Sequence, residues 1–499
     1  MHIIRLWSCL LLACVVPQAI ASMNTYIETI KSDPKALYTF FKAMPKGGEL
    51  HYHLAGGAYP EIMLTVAATD NYCIDNQTFA IRKTTTHCDG TLASELATKP
   101  ALYKKIIKAW SMKQFIPGQE SGHDHFFTSF NKFMPAASHF YSELLASVMQ
   151  RAADQHELYL EVMLLPDNAQ SSAFAEQLNN QSTFADKRNR LLSYPPFQNN
   201  IRYTINESKR ILQQARHHLG CDTRPQQAVC SLTVKFQYHI LREQPLDKVF
   251  AQALNGFAAA AQSSDIVGIN LVQAEDGKIS LRDYKAQMQI LNFLHHVYPN
   301  VHIALHAGEL SPNIAPNGAL RFHIHDAILT GHAERIGHGV DITHEDKAAD
   351  LLNHMANTPI PVEINLTSND AILHINGVQH PLRLYLAHHV PVVLSTDDEG
   401  ILRTNLTHQY VDAVHNHNLD YSVIKSINRN ALTYSFLPGK SLWINPTTSR
   451  PVAACQTMQS KACRLFIQNN EKARLQWQLE RQLTAFEMDD KIRFSSHTR

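Results

Sequence analysis

Neither sign of charge dominates this chain. Its 499 residues include 45 lysines and arginines against 44 aspartates and glutamates, a formal net charge of +1. That balance gives no electrostatic reason to expect nucleic acid or an anionic membrane surface as a partner. Long apolar runs are scarce: beyond the N-terminal segment, no stretch has the length and apolarity of a membrane span. Internal repeats, low-complexity tracts and obvious linkers are absent too. One domain with decorations is therefore the simplest organisation, although the length could hold two or three. Cysteine is sparse, eight in all, and none has zinc-finger spacing.

The N-terminus is where an apolar run does occur. "MHIIR" is a short basic start, and "LWSCLLLACVVPQAIA" is an apolar stretch broken by Pro17. Ala19 and Ala21 stand at the small-residue positions of an A-x-A cleavage site. The expectation is a signal peptide over residues 1–21, a mature start at Ser22 and export to a periplasm or the extracellular space. A lipoprotein signal ending at Cys14 ranks second, because apolar residues continue beyond it. The six remaining cysteines fall as close pairs: Cys73 and Cys88, Cys221 and Cys230, Cys455 and Cys463. An even count and local pairing favour three disulfides over free thiols in an oxidising compartment.

Eight short β-rich runs alternate with helical segments. They are "ELHYHL" from Glu49, "LYLEVMLL" from Leu158, "LTVKFQYHI" from Leu232 and "IVGINLV" from Ile266. "HIALHAG" from His302, "RIGHGV" from Arg335, "VEINLTS" from Val362 and "VVLSTDD" from Val392 follow. Several are near-continuous apolar runs, as in parallel strands buried on both faces. In "DKVFAQALNGFAAAA", Val249, Phe250, Ala253, Leu254, Phe257 and Ala261 recur at helical spacing. Eight strand–helix units predict an α/β fold, a (β/α)8 TIM barrel. Helical insertions are expected after strands one and two, with a C-terminal tail stapled by disulfide. The expected division is 22–43 as an N-terminal helical segment, 44–440 as the barrel and 441–499 as a helical extension.

In such a barrel, chemistry collects at the C-terminal ends of the strands. Strand one ends in His51 and His53, which share one face because they are two residues apart. Strand five ends in "HAGE", with His306 and Glu309; strand six in "GHG", with His338; strand eight in "STDD", with Asp397 and Asp398. Three histidines and an aspartate form a donor set suited to zinc, and acidic and imidazole groups remain around it. Strand four, "DIVGINLV", lacks the lysine that bridges two metals in related barrel hydrolases, which favours a single ion. "HDH" at His123 to His125 mimics strand one, but its helical context reads as a surface or helix-cap feature. Asn365, Thr367 and Ser368 could support the pocket or simply cap strand seven.

"MPKGGELHYHL", "HAGE", "RIGHG" and "STDDEG", in that order, resemble the adenosine deaminase family of zinc aminohydrolases. "MPKGGELH", the signal peptide and "SFLPG" near Phe436 look closest to its secreted growth-factor-type branch and bacterial relatives. The resemblance implies that His51, His53, His306 and Asp397 hold one Zn²⁺, which makes a water nucleophilic near neutral pH. Glu309 would protonate purine N1, His338 would orient the water and accept or stabilise its proton, and Asp398 would meet N7. The implied reaction is conversion of adenosine, and of 2′-deoxyadenosine, to the 6-oxo nucleoside and ammonia.

Two positions depart from the family pattern. Ala55 stands where an aspartate usually contacts ribose, and Gln273 where a glycine usually offers its N–H to purine N3. Gln273 and the rim residue Glu275 are expected to contact substrate. A different 6-aminopurine or modified nucleoside is therefore the second enzymatic reading. A secreted, non-enzymatic binding or signalling protein on the same scaffold is the third. The expected partner is a small purine nucleoside. Residues 24–43 could support a homodimer or plug the bottom of the barrel.

Overall fold

The protein is described by a computed structural model over residues 22–489, apart from 86, 180, 446 and 447. The signal-peptide reading lies outside the described residues. Eight parallel strands run in chain order round one sheet: β1 (Lys46–His53), β2 (Glu157–Leu164), β3 (Thr233–Leu241) and β4 (Ile266–Val272). β5 (His302–Ala307), β6 (Arg335–His338), β7 (Val362–Ile364) and β8 (Val392–Leu394) complete it. Each is hydrogen-bonded to the next. β8 returns to β1 through Asp397: His53 N donates to Asp397 O (3.1 Å), and Asp397 N donates to His51 O (3.2 Å). The barrel thus closes at its mouth, through the backbone of three of the proposed metal ligands.

The expected TIM barrel is what forms. Every residue of β2 is buried, because helices cover the outer face and side chains fill the interior. The helix Leu246–Ala260 buries Val249, Phe250, Ala253, Leu254 and Phe257 as its periodicity predicts. Ala261, the last member of that pattern, is instead the exposed C-cap.

The insertion after β1 is helical as expected, with Pro60–Ala67, Pro100–Ala109, Gly122–Ala137 and Tyr141–Asp154, and has a sheet that the sequence did not announce. It carries a three-stranded antiparallel sheet of Tyr72–Ile74, Ile81–Lys83 and Thr91–Leu92, tied by the Cys73–Cys88 disulfide. Strands of two or three residues are too short to show a hydrophobic period. The other two cysteine pairs are also bonded, Cys221–Cys230 and Cys455–Cys463. The tail holds a two-stranded pair, Trp443–Asn445 with Arg450–Pro451, before its helices Lys461–Gln468 and Glu471–Glu487. Trp443 and Trp477 pack there with Leu442, Ile467 and the Cys455–Cys463 bridge.

Residues 22–30 and Pro34–Ala43 are helical. Phe40 meets Tyr421 and Phe486 edge-on, and Phe41 meets Tyr410, so this segment packs against the chain's own barrel and tail helices. Among the described residues, no helix is long and apolar enough to cross a membrane.

Candidate metal and active site

The strand ends place four ligand-type side chains around one point. His53 Nε2 lies 3.1 Å from His306 Nε2 and 3.2 Å from Asp397 Oδ1. His51 Nε2 lies 3.3 Å from the same oxygen, is buried and has no hydrogen-bond partner. Four donors tetrahedrally arranged at zinc–ligand bonds of about 2.0–2.1 Å stand about 3.3–3.4 Å apart, so this spacing and donor set fit such an ion. Imidazole nitrogens and a carboxylate facing one another without a donor between them repel unless a cation joins them. The electrostatics agree. Burial pulls the His51 pKa down, but Asp397 and Glu363 overcome it and push it up to about 10. The cluster therefore favours a positive charge, which a metal would supply in place of the proton.

Two of the rings are aimed from behind. His51 Nδ1 donates to Glu363 Oε2 (2.8 Å) and His306 Nδ1 donates to Asn270 Oδ1 (2.8 Å), leaving each Nε2 bare toward the centre. Ser368 Oγ donates to Asp397 Oδ2 (2.7 Å), so of the residues near the end of β7 this one supports the site directly. Asp397 and His338 have φ of 63° and 67°. Left-handed backbone at residues other than glycine is strained and is typical of functional turns.

Glu309 and His338 face the space beside the cluster. His338 Nε2 lies 3.7 Å from Glu309 Oε1 and 3.9 Å from Asp397 Oδ2. Burial, with Asp397 nearby, raises the Glu309 pKa to about 8. Burial holds that of His338 down to about 3. Asp398 is pushed well above the usual carboxylate range, by burial first and Asp397 second. The glycines after the first-strand pair make room for it: a Cβ on Gly56 would lie 1.6 Å from Asp398 Oδ1. "AGG" is therefore a spacing device as well as a missing aspartate.

Of the two substrate-contact expectations after β4, the structure moves Glu275 off the rim and leaves the Gln273 backbone in a glycine-like conformation. Glu275 is 1 % exposed and does not line the rim. Its carboxylate accepts from Gly308 N (3.1 Å), Glu309 N (2.9 Å) and His323 Nδ1 (2.6 Å). It holds the "HAGE" turn, and so Glu309, in place. Gln273 adopts φ 82°, the conformation glycine would take without strain. Its side chain turns away, with Oε1 accepting from Glu243 N (2.9 Å) and its carbonyl from Arg242 Nε (2.8 Å). "HDH" is not the helix cap, since Ser121 caps that helix by accepting from Asp124 N. His123 Nε2 instead reaches Asp276 Oδ1 (3.0 Å), tying this helix to the loop after β4.

Several site residues escaped the sequence reading. Glu363 is held by Arg335 Nε (2.6 Å), and Arg335 also pairs with Glu161 and stacks 3.7 Å over Phe436. The available signal was charge within apolar strands, because an ion buried there needs a partner. His239 of β3 lies with its ring 6.4 Å from His53 and its Nδ1 buried without a partner. Burial, with His53 beside it, lowers its pKa to about 3.

The adenosine deaminase family model matches residues 205–442, so β1 and its histidines lie outside that match. An adenosine deaminase from Klebsiella pneumoniae is 36% identical over 137 residues, 27% of this chain and 38% of the relative. An aminodeoxyfutalosine deaminase from Streptomyces coelicolor is 34% identical over 119 residues, 23% of this chain and 30% of the relative. The chain thus spans under two fifths of the length of these relatives. An adenosine deaminase from Clostridium kluyveri is 23% identical over 404 residues, 80% of this chain and 92% of the relative. Adenine deaminase from Arthrobacter aurescens has a similar fold, with TM-score 0.52, 16% identity, and coverage of 79% of this chain and 94% of that one. N6-methyl-AMP deaminase from Arabidopsis thaliana is similar in fold as well, at TM-score 0.51 and 19% identity over 80% and 94%. With the ordered strand-end residues of its barrel, the chain is similar to the adenosine deaminase family, whose model it matches over residues 205–442.

Proposed function

We propose that this protein is a zinc-dependent aminohydrolase that converts adenosine, and 2′-deoxyadenosine, to the 6-oxo nucleoside and ammonia. The observation that carries this reading is the convergence of His51, His53, His306 and Asp397 at one point, with Glu309 and His338 beside them. One Zn²⁺ per chain suits three imidazoles and a carboxylate, and when bound it supplies the Lewis acidity that brings a water's pKa toward neutrality. Glu309 keeps its proton near neutral pH and can pass it to purine N1, making C6 electrophilic. His338 stabilises charge on the oxygen that adds at C6. Asp398, also held protonated, can donate to N7. Glu275 and Arg242 keep the "HAGE" turn and β5 in register while this happens.

A second reading, deamination of another 6-aminopurine, is favoured by Ala55, which offers no carboxylate where the family pattern has one for ribose. Related proteins named for other substrates make it concrete. A panel of adenosine, deoxyadenosine, adenine, AMP and N6-methyl-AMP, followed by ultraviolet absorbance with metal measured on the same sample, separates the two. Adenosine as the preferred substrate supports the first reading. Preference for another member supports the second, and no turnover of any sinks both in favour of a binding protein. We also infer export, supported by three disulfides.

A further inference from the structure

His380 lies outside the barrel strands, between β7 and the helix Leu382–Ala387, and is buried. It begins a hydrogen-bond chain that ends in the active site. Leu382 N donates to His380 Nδ1 (3.1 Å). A backbone N–H can only donate, so this nitrogen is bare and the ring carries its proton on Nε2. Burial, with His417 alongside, lowers the His380 pKa to about 3, so the ring is neutral. His380 Nε2 then donates to Asn369 Oδ1 (3.0 Å). The amide has one orientation left, and Asn369 Nδ2 donates to His338 Nδ1 (2.9 Å). With Nδ1 accepting, the His338 ring has its proton on Nε2, the atom facing Glu309.

We propose that His380 is a positioning residue which, through Asn369, fixes His338 as its Nε2–H tautomer and makes it a hydrogen-bond donor rather than a base. This rests on the deaminase reading for its kinetic consequence only. In that reaction Glu309 is left as the residue that exchanges protons, and His338 holds its hydrogen toward the oxygen that adds to C6. The amide at position 369 is what sets the direction. A carboxylate there would accept from both rings and draw the His338 proton to Nδ1.

The test uses the full-length, metal-loaded protein labelled with ¹⁵N-histidine, with His338 signals identified by their loss in His338→Gln. The expected spectrum has the His338 proton on the nitrogen that couples to both ring C–H protons, which is Nε2. His380→Gln keeps an amide N–H for Asn369 Oδ1 and should preserve the spectrum and kcat. His380→Leu lets the Asn369 amide turn over and should move the proton to Nδ1. It should cost about 10–100-fold in kcat, with KM and bound metal unchanged. Asn369→Asp should lower kcat likewise, whereas a His338 that works as a base would gain from it. A bare Nε2 in the wild type overturns the proposal. So do an unchanged His338 spectrum in His380→Leu and a raised kcat in Asn369→Asp. If no 6-aminopurine is turned over by the wild type, the deaminase reading fails while the spectra still decide the tautomer.

Discussion

Arg335 and His51 occupy the same barrel interior and are both buried, yet their surroundings differ in kind. Around Arg335 every charge is answered: Nε meets Glu363, Nη2 meets Glu161 and Nη1 meets the Tyr434 carbonyl. Glu161 in turn accepts from Gln237, Tyr159 and Phe436 N. Around His51 the groups at the centre are acceptors facing acceptors, with its Nε2 unpartnered. Burial alone thus does not mark a site. A satisfied buried cluster holds the fold, and a convergent unsatisfied one awaits a ligand. Glu363 joins the two, with one oxygen on Arg335 and the other on His51.

The largest expected effect separates chemistry from folding. Glu309→Gln should lower kcat by about 10²–10⁴-fold while bound metal and melting temperature stay near wild type; loss of metal with activity would blur the contrast. Next comes the satisfied cluster. Arg335→Met strands two buried carboxylates and should cost about 3–5 kcal/mol of stability, read from the urea midpoint of metal-loaded protein. A wild-type midpoint there would mean the cluster is not structural.

Glu363→Gln tests the joint. It weakens the grip on His51 Nδ1, and metal affinity measured by competition with a chelator should fall about 10–100-fold. The smallest effect is on pH. In chelator-treated protein the folded chain keeps the Glu309 proton until about pH 8, whereas the unfolded chain releases it near 4.5. This contribution to stability is complete below pH 4.5 and is lost as pH rises toward 8, because the folded state binds the extra proton. Melting temperature should decline across that window with a component that Glu309→Gln removes; a decline identical in the variant would assign it elsewhere.

Much of this was legible one residue at a time. β4 was read to its boundaries, because a buried parallel strand is a run of apolar residues. The strand-end histidines and acids were readable once the barrel was expected, since its topology sends strand ends to one mouth. Glu275 was misplaced because sequence puts it near the rim without saying which way its carboxylate turns. The small sheet around Cys73 was missed because two- and three-residue strands carry no period.

By itself, then, the sequence determined the alternation of strands and helices, the donor set of the candidate metal site and the resemblance to the adenosine deaminase family. Those depend on residue type and spacing along the chain. Only the tertiary structure decided which donors already had partners. Glu363 behind His51, Ser368 on Asp397, and the path from His380 through Asn369 to His338 join residues on different elements. The direction of a hydrogen bond is a property of packed groups, and neither composition nor period encodes it.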